Sequence, residues 1–265
     1  MGIEADHMTV AERAQFARLL PKTCRLKPAP ALVERERLVK DKDEIELLRA
    51  AVLLGGSLFD VALKSIRPGV REIEVAAEME YAARRAGADA MSFETIVASG
   101  ERSALPHGRA SGAKIPDSGF VVCDFGVILT GYCSDMTRTV YVGRPSEEAR
   151  RMYDVVKSAQ QAAADSVGPG VSVGDVDEAA RKVLQGNGLG RYFTHSTGHG
   201  VGLEIHEAPR VAAGQKDVLQ PGMVITIEPG AYIPGRWGVR IEDMVVVTET
   251  GCEVLTPTSK EFIAI

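Results

Sequence analysis

Residues 120–142, FVVCDFGVILTGYCSDMTRTVYV, predict two β-strands joined by a turn near Thr130-Gly131. The two apolar runs are rich in β-branched and aromatic residues, which strands favour, and glycine suits a turn. Each predicted strand carries one aspartate, Asp124 or Asp135. Neighbouring strands lie about 4.8 Å apart, so the two carboxylates are predicted to converge on one ion.

The layout around this hairpin occurs twice in the chain. Pro68-Gly-Val recurs as Pro169-Gly-Val, and a valine and a glycine follow each at identical spacings. A long helix is predicted before each match and a second helix after it. A later hairpin in the second half carries Glu228 and Glu242, again one acidic residue per strand. Two copies are too few for a solenoid, so we predict an α/β domain of two pseudo-twofold halves with a site between them.

The domain organisation is predicted from composition along the chain. Residues 1–8, MGIEADHM, are interpreted as an expression leader, and residues 9–40 as a short N-terminal extension or linker with one helix and an extended connector. Residues 41–265 are predicted to form the main domain. Apolar residues at helical spacing predict the two long helices at 41–66 and 146–167.

Composition excludes several classes of protein. At 265 residues, 45% hydrophobic and 25% charged, the chain is typical of a soluble globular domain. A net charge of −5 and the absence of any Lys/Arg-rich run argue against a nucleic-acid partner. No run of 18 apolar residues exists, so no membrane partner is expected. The four cysteines form no CxxC pair, which favours a cytoplasmic location with reduced thiols.

Five side chains with metal-ligand chemistry lie in conspicuous local settings. They are Asp124, Asp135, His199, Glu228 and Glu242. Four carboxylates brought together would repel one another and take up protons unless cations neutralised them. Carboxylate and imidazole ligands favour manganese, cobalt, iron or zinc, and a pair of such ions suggests hydrolysis by an activated water. The alternative for any single carboxylate is a salt bridge to Arg138, Arg236 or Arg240.

Other polar residues are candidates for catalysis or substrate binding. Three histidines belong to this group: His107, His195 and His206. Neutral imidazole shuttles protons near neutral pH, and those not needed as ligands can stabilise an oxyanion or hold a substrate carboxylate. Arg210 and Arg240 are candidates for that carboxylate because guanidinium binds it in a bidentate fork. Trp237 is a candidate wall of an apolar pocket, with plain packing as the alternative.

The sequence motifs around these residues closely resemble those of the pita-bread metallopeptidases, which include methionine aminopeptidase, aminopeptidase P and prolidase. The resemblance covers about residues 39–256 and is carried by LVKDKDEIELLRAA, GYCSDMTRTVYVG, HSTGHGVGLEIHEAP and GVRIEDMVVV. It implies a curved antiparallel sheet with outer helices. It also implies two divalent ions, Mn²⁺ first and Co²⁺, Zn²⁺ or Fe²⁺ as alternatives. Asp135 and Glu242 would bridge both ions, Asp124 would serve one, and His199 with Glu228 the other.

Within that family, the same motifs resemble those of the proline-specific branch, Xaa-Pro dipeptidase or Xaa-Pro aminopeptidase. This implies a metal-dependent hydrolase for short peptides with proline at the second position. Glu228 would pass a proton from water to the leaving nitrogen, and His206 would stabilise the oxyanion. His107 would contact the substrate or the leaving group, and His195 would contribute to substrate binding.

Alternatives stay open at this point. Methionine aminopeptidase is the nearer one, and a non-catalytic peptide-binding module on the same fold is the other. The proline-specific enzymes normally carry a larger N-terminal domain, so residues 9–40 are expected to be a reduced or truncated form of it. Substrate length and a homodimeric state are therefore left open.

Overall fold

The computed structural model describes residues 1–5 and 7–265; Asp6, part of the predicted leader, lies outside them. The chain divides into two compact units, residues 1–37 and residues 38–265. Within the described residues, none of the helices combines the length and the apolar character that crossing a membrane requires. The predicted leader and domain limits stay predictions.

The N-terminal unit contains, in its described residues, two short strands and two helices. They are β1 (Gly2–Ile3), α1 (Val10–Leu19), β2 (Lys27–Pro28) and α2 (Leu32–Arg37). β1 and β2 pair in parallel. Thr9 caps α1: its hydroxyl accepts from the Glu12 N–H at 3.2 Å, while the Glu12 carboxylate accepts from the Thr9 N–H at 2.8 Å. This capping box satisfies backbone donors at the helix start.

The prediction of one helix and then an extended connector was wrong for the last part of this unit, because α2 is helical. α2 begins two residues after Pro30, so the proline does not interrupt it. Its sequence, LVERER, has Glu34 in the first turn and arginines in the last, which suits the helix dipole. A helix of six residues is too short to reveal itself through apolar periodicity.

Four helices belong to the second unit. They are α3 (Lys42–Ser65), α4 (Glu72–Arg85), α5 (Glu147–Asp165) and α6 (Val173–Gly186). The predictions of long helices at 41–66 and 146–167 are confirmed by α3 and α5. Asp41 and Glu44 form a capping box at the start of α3, where each side chain accepts the other's N–H at 2.9 Å. That acidic start was visible in the sequence.

The strands of the second unit form several small sheets. In chain order they are β3 (Ala90–Met91), β4 (Ile96–Ser99), β5 (Gly119–Phe125), β6 (Val127–Leu129), β7 (Tyr132–Cys133), β8 (Met136–Val142), β9 (Gly198–Gly200), β10 (Glu207–Val211), β11 (Val224–Ile227), β12 (Gly230–Ile233), β13 (Trp237–Arg240), β14 (Asp243–Val247) and β15 (Cys252–Val254). The sheet orders are β4-β5-β8, β3-β6-β7, β12-β13 and β10-β9-β11-β14-β15.

Both halves contain the same nested pairing. β5 pairs antiparallel with β8 around the inner pair β6-β7, and β11 pairs with β14 around β12-β13. The predicted turn at Thr130-Gly131 lies between β6 and β7, and both residues have positive φ, 52° and 83°. The prediction of two strands in residues 120–142 was wrong in number, because each arm of the hairpin is divided into two strands.

A close backbone approach explains the interruption. A Cβ on Gly126 would lie 1.8 Å from the carbonyl oxygen of Ser134, so only glycine fits there. Asp135 lies next to Ser134, in the gap between β7 and β8. In the second half, Glu228 lies in the gap between β11 and β12, and Glu242 in the gap between β13 and β14. Three of the predicted ligands therefore stand where strands break.

The helices bury one face of these strands. Val121, Cys123 and Phe125 of β5 pack in one apolar cluster with residues of α3 and α4, while α5 and α6 pack with residues of β11 and β14 in another. Each fully buried side chain of this size contributes about 1.5–3 kcal/mol. Side chains alternate across a strand, so Asp124, between Cys123 and Phe125, lies on the face opposite the helices.

Candidate metal centre

A cavity of about 310 Å³ opens on the face of the strands away from the helices. All five predicted metal ligands line it: Asp124, Asp135, His199, Glu228 and Glu242. Four of the predicted catalytic or substrate residues line it as well: His107, His195, His206 and Arg240. Residues from both halves of the repeat thus meet in one place, as the pseudo-twofold layout predicts.

Three of the ligand candidates form a compact group. Asp135, His199 and Glu242 each place one ligand atom within 4.8 Å of the others. The His199 Nε2 lies 3.5 Å from Asp135 Oδ2 and 3.7 Å from Glu228 Oε1. These separations allow carboxylates and imidazole to share a cation.

The orientation of His199 leaves one ring nitrogen free for a cation. Its Nδ1 lies 3.0 Å from the carbonyl oxygen of Gly200. A carbonyl can only accept, so Nδ1 carries the proton and donates it, and the Nε2 lone pair faces the carboxylates. A backbone carbonyl commonly fixes the tautomer of a metal-binding histidine in this way.

Two of the carboxylates are only partly satisfied by hydrogen bonds from the described residues. Asp124 Oδ1 and Asp135 Oδ1 are buried and accept no hydrogen bond there. Burial raises the pKa of Asp135 and of Glu242 well above the usual range, and the neighbouring carboxylates raise both further. Burial also raises the pKa of Glu228. A divalent cation would reverse these shifts by stabilising the ionised forms, so the residues present fit such ions.

Arg240 is engaged by the protein. Its Nη2 donates to Asp124 Oδ2, its Nε to the Thr137 hydroxyl at 3.1 Å, and its Nη1 to Tyr232 Oη at 2.6 Å and to Pro106 O at 2.9 Å. The residue is 3% exposed. The structure thus gives Arg240 a role as partner of Asp124, and its contact with a substrate carboxylate stays a prediction. The salt-bridge alternative is realised at this one ligand.

Tyr232 was missed by sequence reasoning. Its Oη lies 2.9 Å from His195 Nε2, and His195 Nδ1 lies 2.8 Å from the carbonyl oxygen of Ser196. The carbonyl requires Nδ1 to donate, so Nε2 accepts the proton of Tyr232. Burial, followed by the charge of Arg240, lowers the pKa of His195 to about 3, which keeps the ring neutral. In the sequence Tyr232 resembles any strand tyrosine, and no local signal distinguished it.

His206 and His107 both line the cavity that contains the ligand candidates. The His206 ring lies edge-on to the ring of His199, with centroids 4.4 Å apart. Burial lowers the pKa of His206. Thr137, which was also missed, donates from its hydroxyl to Glu242 Oε2 at 2.7 Å. It holds that carboxylate while accepting from Arg240.

Arg210 and Trp237 do not line the cavity. Arg210 is exposed on β10. Trp237 packs edge-on against Phe120, with centroids 5.8 Å apart, and the Arg236 guanidinium covers its ring at 4.6 Å. This placement supports the packing alternative for Trp237, and substrate contacts of both residues stay predictions without structural support.

The mouth of the cavity carries residues that the sequence did not point to. Phe93, Ile96 and Pro106 form an apolar part of the lining. Glu94 and Arg109 also line it and form an ion pair, Oε2 to Nε 2.9 Å, with side chains 59% and 72% exposed. These residues come from the segments around β4, which only folding brings to the site.

Comparison with known proteins gives consistent matches. The model of metallopeptidase family M24 matches residues 46–249. An uncharacterized peptidase, YqhT of Bacillus subtilis, is 43% identical over 263 residues, which are 99% of this chain and 74% of that protein. The Xaa-Pro dipeptidase of Pyrococcus furiosus is 47% identical over 227 residues, 86% of this chain but only 65% of the dipeptidase. The solved Xaa-Pro dipeptidase of Bacillus anthracis superimposes with a TM-score of 0.97 at 45% identity, covering 100% of this chain and 74% of that one.

Proposed function

The chain belongs to metallopeptidase family M24, and we propose on that premise that it hydrolyses the bond between an N-terminal residue and a following proline in short peptides. The predicted pita-bread fold and metallo-exopeptidase class are confirmed by the family and by the solved structures. One observation carries the proposal: five metal-ligand side chains from both halves of the fold line one cavity, where two carboxylate oxygens lack partners in the described residues.

The choice of substrate is supported by the relatives. Proteins similar to this chain over most of its length are named Xaa-Pro dipeptidases. These names do not favour methionine aminopeptidase. A non-catalytic binding module is disfavoured by the family and by the ligand set, which has no member missing. A cytoplasmic location and a homodimer stay predictions from the sequence.

The residues of the cavity would hold two divalent ions. Asp124 would serve one ion and His199 with Glu228 the other, while Asp135 and Glu242 would serve both. Such ions supply Lewis-acid polarisation of the scissile carbonyl and lower the pKa of a water that attacks it. The oxygen-rich ligand set with one imidazole suits Mn²⁺ first, with Co²⁺, Zn²⁺ and Fe²⁺ as alternatives.

The proton is moved by the protein. Glu228 lines the same cavity, and its Oε1 lies 3.7 Å from the His199 Nε2, so its carboxylate is placed among the groups that would surround an attacking water. It would take the proton from water and deliver it to the nitrogen of the leaving proline. His206 and His107 line the same wall. His206 would donate to the oxyanion of the tetrahedral intermediate, and His107 would contact the leaving group.

The proline ring is recognised by shape. A tertiary amide has no N–H to hydrogen-bond, so its binding pocket must provide apolar contact. Phe93, Ile96 and Pro106 provide such a surface at the cavity lining. Arg109, beside them at the mouth, would attract a free carboxylate that follows the proline.

The test is a peptide panel assayed with added Mn²⁺. Ala-Pro, Ala-Pro-Ala and longer Ala-Pro peptides are compared with Met-Ala-Ser. Cleavage of the Ala-Pro bond supports the proposal, and the length series separates dipeptidase from aminopeptidase action. Cleavage of Met-Ala-Ser with no action on any proline peptide would refute it. The Asp135→Ala variant serves as the inactive control.

A further inference from the structure

Asp177 on α6 is a fully buried carboxylate outside the cavity. Its exposure is 0%. Its Oδ1 accepts from the backbone N–H of Thr197 at 3.2 Å and from the Thr197 hydroxyl at 2.8 Å, and its Oδ2 accepts from Arg181 Nε at 2.6 Å. Asp177 is not among the predicted ligands, and the proposed mechanism does not use it. A carboxylate buried this completely needs hydrogen-bond donors or a paired cation. Here the donors, Thr197 and Arg181, belong to or contact the segment that precedes His199.

Thr197 connects Asp177 to two of the proposed ligands. The Thr197 carbonyl accepts the backbone N–H of Glu228 at 2.7 Å. Thr197 also precedes His199 by two residues, and the His199 N–H donates to the Thr226 hydroxyl at 3.1 Å. The short segments that carry His199 and Glu228 are therefore tied to each other and, through the buried side chain of Thr197, to Asp177.

Arg181 holds the other end of the same segment. Its Nη2 donates to the carbonyl oxygen of His195 at 2.6 Å and its Nη1 to that of Phe193 at 3.3 Å. The guanidinium also covers the Phe193 ring at 4.3 Å from the centroid. One carboxylate–guanidinium pair on α6 thus forms hydrogen bonds to both ends of the segment 193–197.

We infer that Asp177 is a positioning residue for the metal centre, which holds residues 193–197 so that His199 and Glu228 present their ligand atoms at a fixed separation. The inference rests on the proposed function only in requiring that the cavity binds divalent cations. This positioning role differs from a packing role because Asp177 acts through hydrogen bonds to Thr197. A substitution that removes the Thr197 hydroxyl and keeps the shape of the side chain must therefore weaken cation binding.

Helix α6 offers its own control. Glu178 and Lys182 form an ion pair of the same i,i+4 spacing, 2.9 Å, one residue along the helix. Both side chains are more than half exposed, and no bond from this pair reaches residues 193–197 among those described. Glu178→Gln therefore changes charge and helix pairing as Asp177→Asn does, without touching the segment.

The experiment measures Mn²⁺ affinity by calorimetry on the full chain after removal of metal, together with thermal unfolding and kcat and KM on Ala-Pro. Asp177→Asn is expected to weaken Mn²⁺ binding by about 10–100-fold, the usual effect of removing a partner behind a metal ligand. With Mn²⁺ below saturation kcat falls, while KM changes little. Glu178→Gln is expected to match the wild type in all four measurements.

Two variants of Thr197 test the same inference if Asp177→Asn fails to fold. Thr197→Val keeps the shape and loses the hydroxyl, whereas Thr197→Ser keeps the hydroxyl and loses a methyl. We expect Thr197→Val to weaken Mn²⁺ binding and Thr197→Ser to retain it. Wild-type affinity in Thr197→Val overturns the inference, as does an effect in Thr197→Ser alone.

The outcome separates this inference from the proposed function. A wild type that binds Mn²⁺ but cleaves no proline peptide refutes the function and still allows the affinity comparison. A wild type that binds no divalent cation refutes the metal centre and the inference together. A wild type active on Ala-Pro, with folded variants of unchanged Mn²⁺ affinity, refutes the inference alone.

Discussion

The Asp124 carboxylate and the Arg240 guanidinium form a buried ion pair in the wall of the proposed metal centre. Arg240 lies two residues before Glu242, so one strand end contributes both a cation and a carboxylate to the cavity. The positive charge offsets part of the repulsion among the four carboxylates while leaving Asp124 Oδ1 without a partner among the described residues. The site is thus partly neutralised by the protein before any cation binds.

Replacing Arg240 should destabilise the metal-free protein. Arg240→Met leaves Asp124 buried and unpaired, and breaking a buried pair in this way costs about 3–5 kcal/mol. Urea unfolding of the metal-free chain measures the loss. Arg236→Met is the control, because Arg236 pairs with Glu148 at 2.8 Å on the exposed surface, where such pairs contribute about 0–1 kcal/mol. Equal losses in the two variants would contradict the assigned role.

The stabilisation that Mn²⁺ confers should increase with pH. The pKa values of Asp135, Glu228 and Glu242 are raised in the folded chain, mainly by burial. Their contribution to the stability of the metal-free protein is therefore present below the ordinary values of 3.8 and 4.5 and is lost as pH rises through the raised values. Cations bind the ionised forms, so their affinity rises about tenfold per pH unit for each proton released.

Thermal unfolding with Mn²⁺ and with EDTA, at pH 5 and at pH 8, checks this. The difference between the two melting temperatures should be larger at pH 8. Glu242→Gln, which removes one of the titrating carboxyls, should reduce the pH dependence of that difference. A Mn²⁺ effect that is the same at both pH values would show that these carboxyls do not release protons on binding.

Tyr232→Phe should impair activity more than stability. The hydroxyl donates to His195 Nε2 and accepts from Arg240, which keeps its other acceptors, so the loss leaves His195 Nε2 without a partner and costs about 1–3 kcal/mol. We expect kcat/KM on Ala-Pro to fall, because the His195 ring loses its fixed orientation. Tyr141→Phe is the matched control: its hydroxyl bonds Ser118 at 3.1 Å and lies outside the cavity lining. Similar kcat/KM losses in both would argue against a role of Tyr232 at the site.

Local patterns explain what could be predicted from the sequence. The long helices follow from apolar periodicity and acidic starts, and the repeat follows from matched Pro-Gly-Val turns. The ligand candidates stood out because acidic residues are rare inside apolar strands. Asp135 illustrates the limit: it was predicted within a strand, but it lies in the gap between β7 and β8, beside the close contact of Gly126 with Ser134 that no local pattern reveals.

Long-range contacts explain what was missed. Asp177 looks like an ordinary polar residue of an amphipathic helix, and its burial becomes visible only when Thr197 packs against it. A salt bridge of Arg240 to one of the ligand carboxylates was an open alternative, but the sequence could not select Asp124, 116 residues earlier, as its partner. Hydrogen-bond partners so distant in sequence leave no periodic signal.

The first half also contains a fully buried carboxylate on a helix, and it gives a prediction of a different kind. Glu72 at the start of α4 is fully buried. It accepts from the Ser99 N–H at 2.8 Å, from Arg102 Nε at 2.9 Å and from the Ser111 hydroxyl at 2.7 Å. These three donors flank His107, so Glu72 holds the loop that brings this histidine to the cavity.

Glu72→Gln should therefore raise KM for Ala-Pro and leave Mn²⁺ affinity close to that of the wild type, because the loop of His107 carries no proposed ligand. Loss of a buried charged acceptor should also cost about 1–3 kcal/mol of stability. Glu74→Gln is the control, since Glu74 pairs with Arg71 at 2.9 Å on the surface of the same helix. A folded Glu72→Gln variant with unchanged KM would show that Glu72 does not position His107 for the substrate. A variant with Mn²⁺ affinity reduced as in Asp177→Asn would show that Glu72 positions the metal ligands as well.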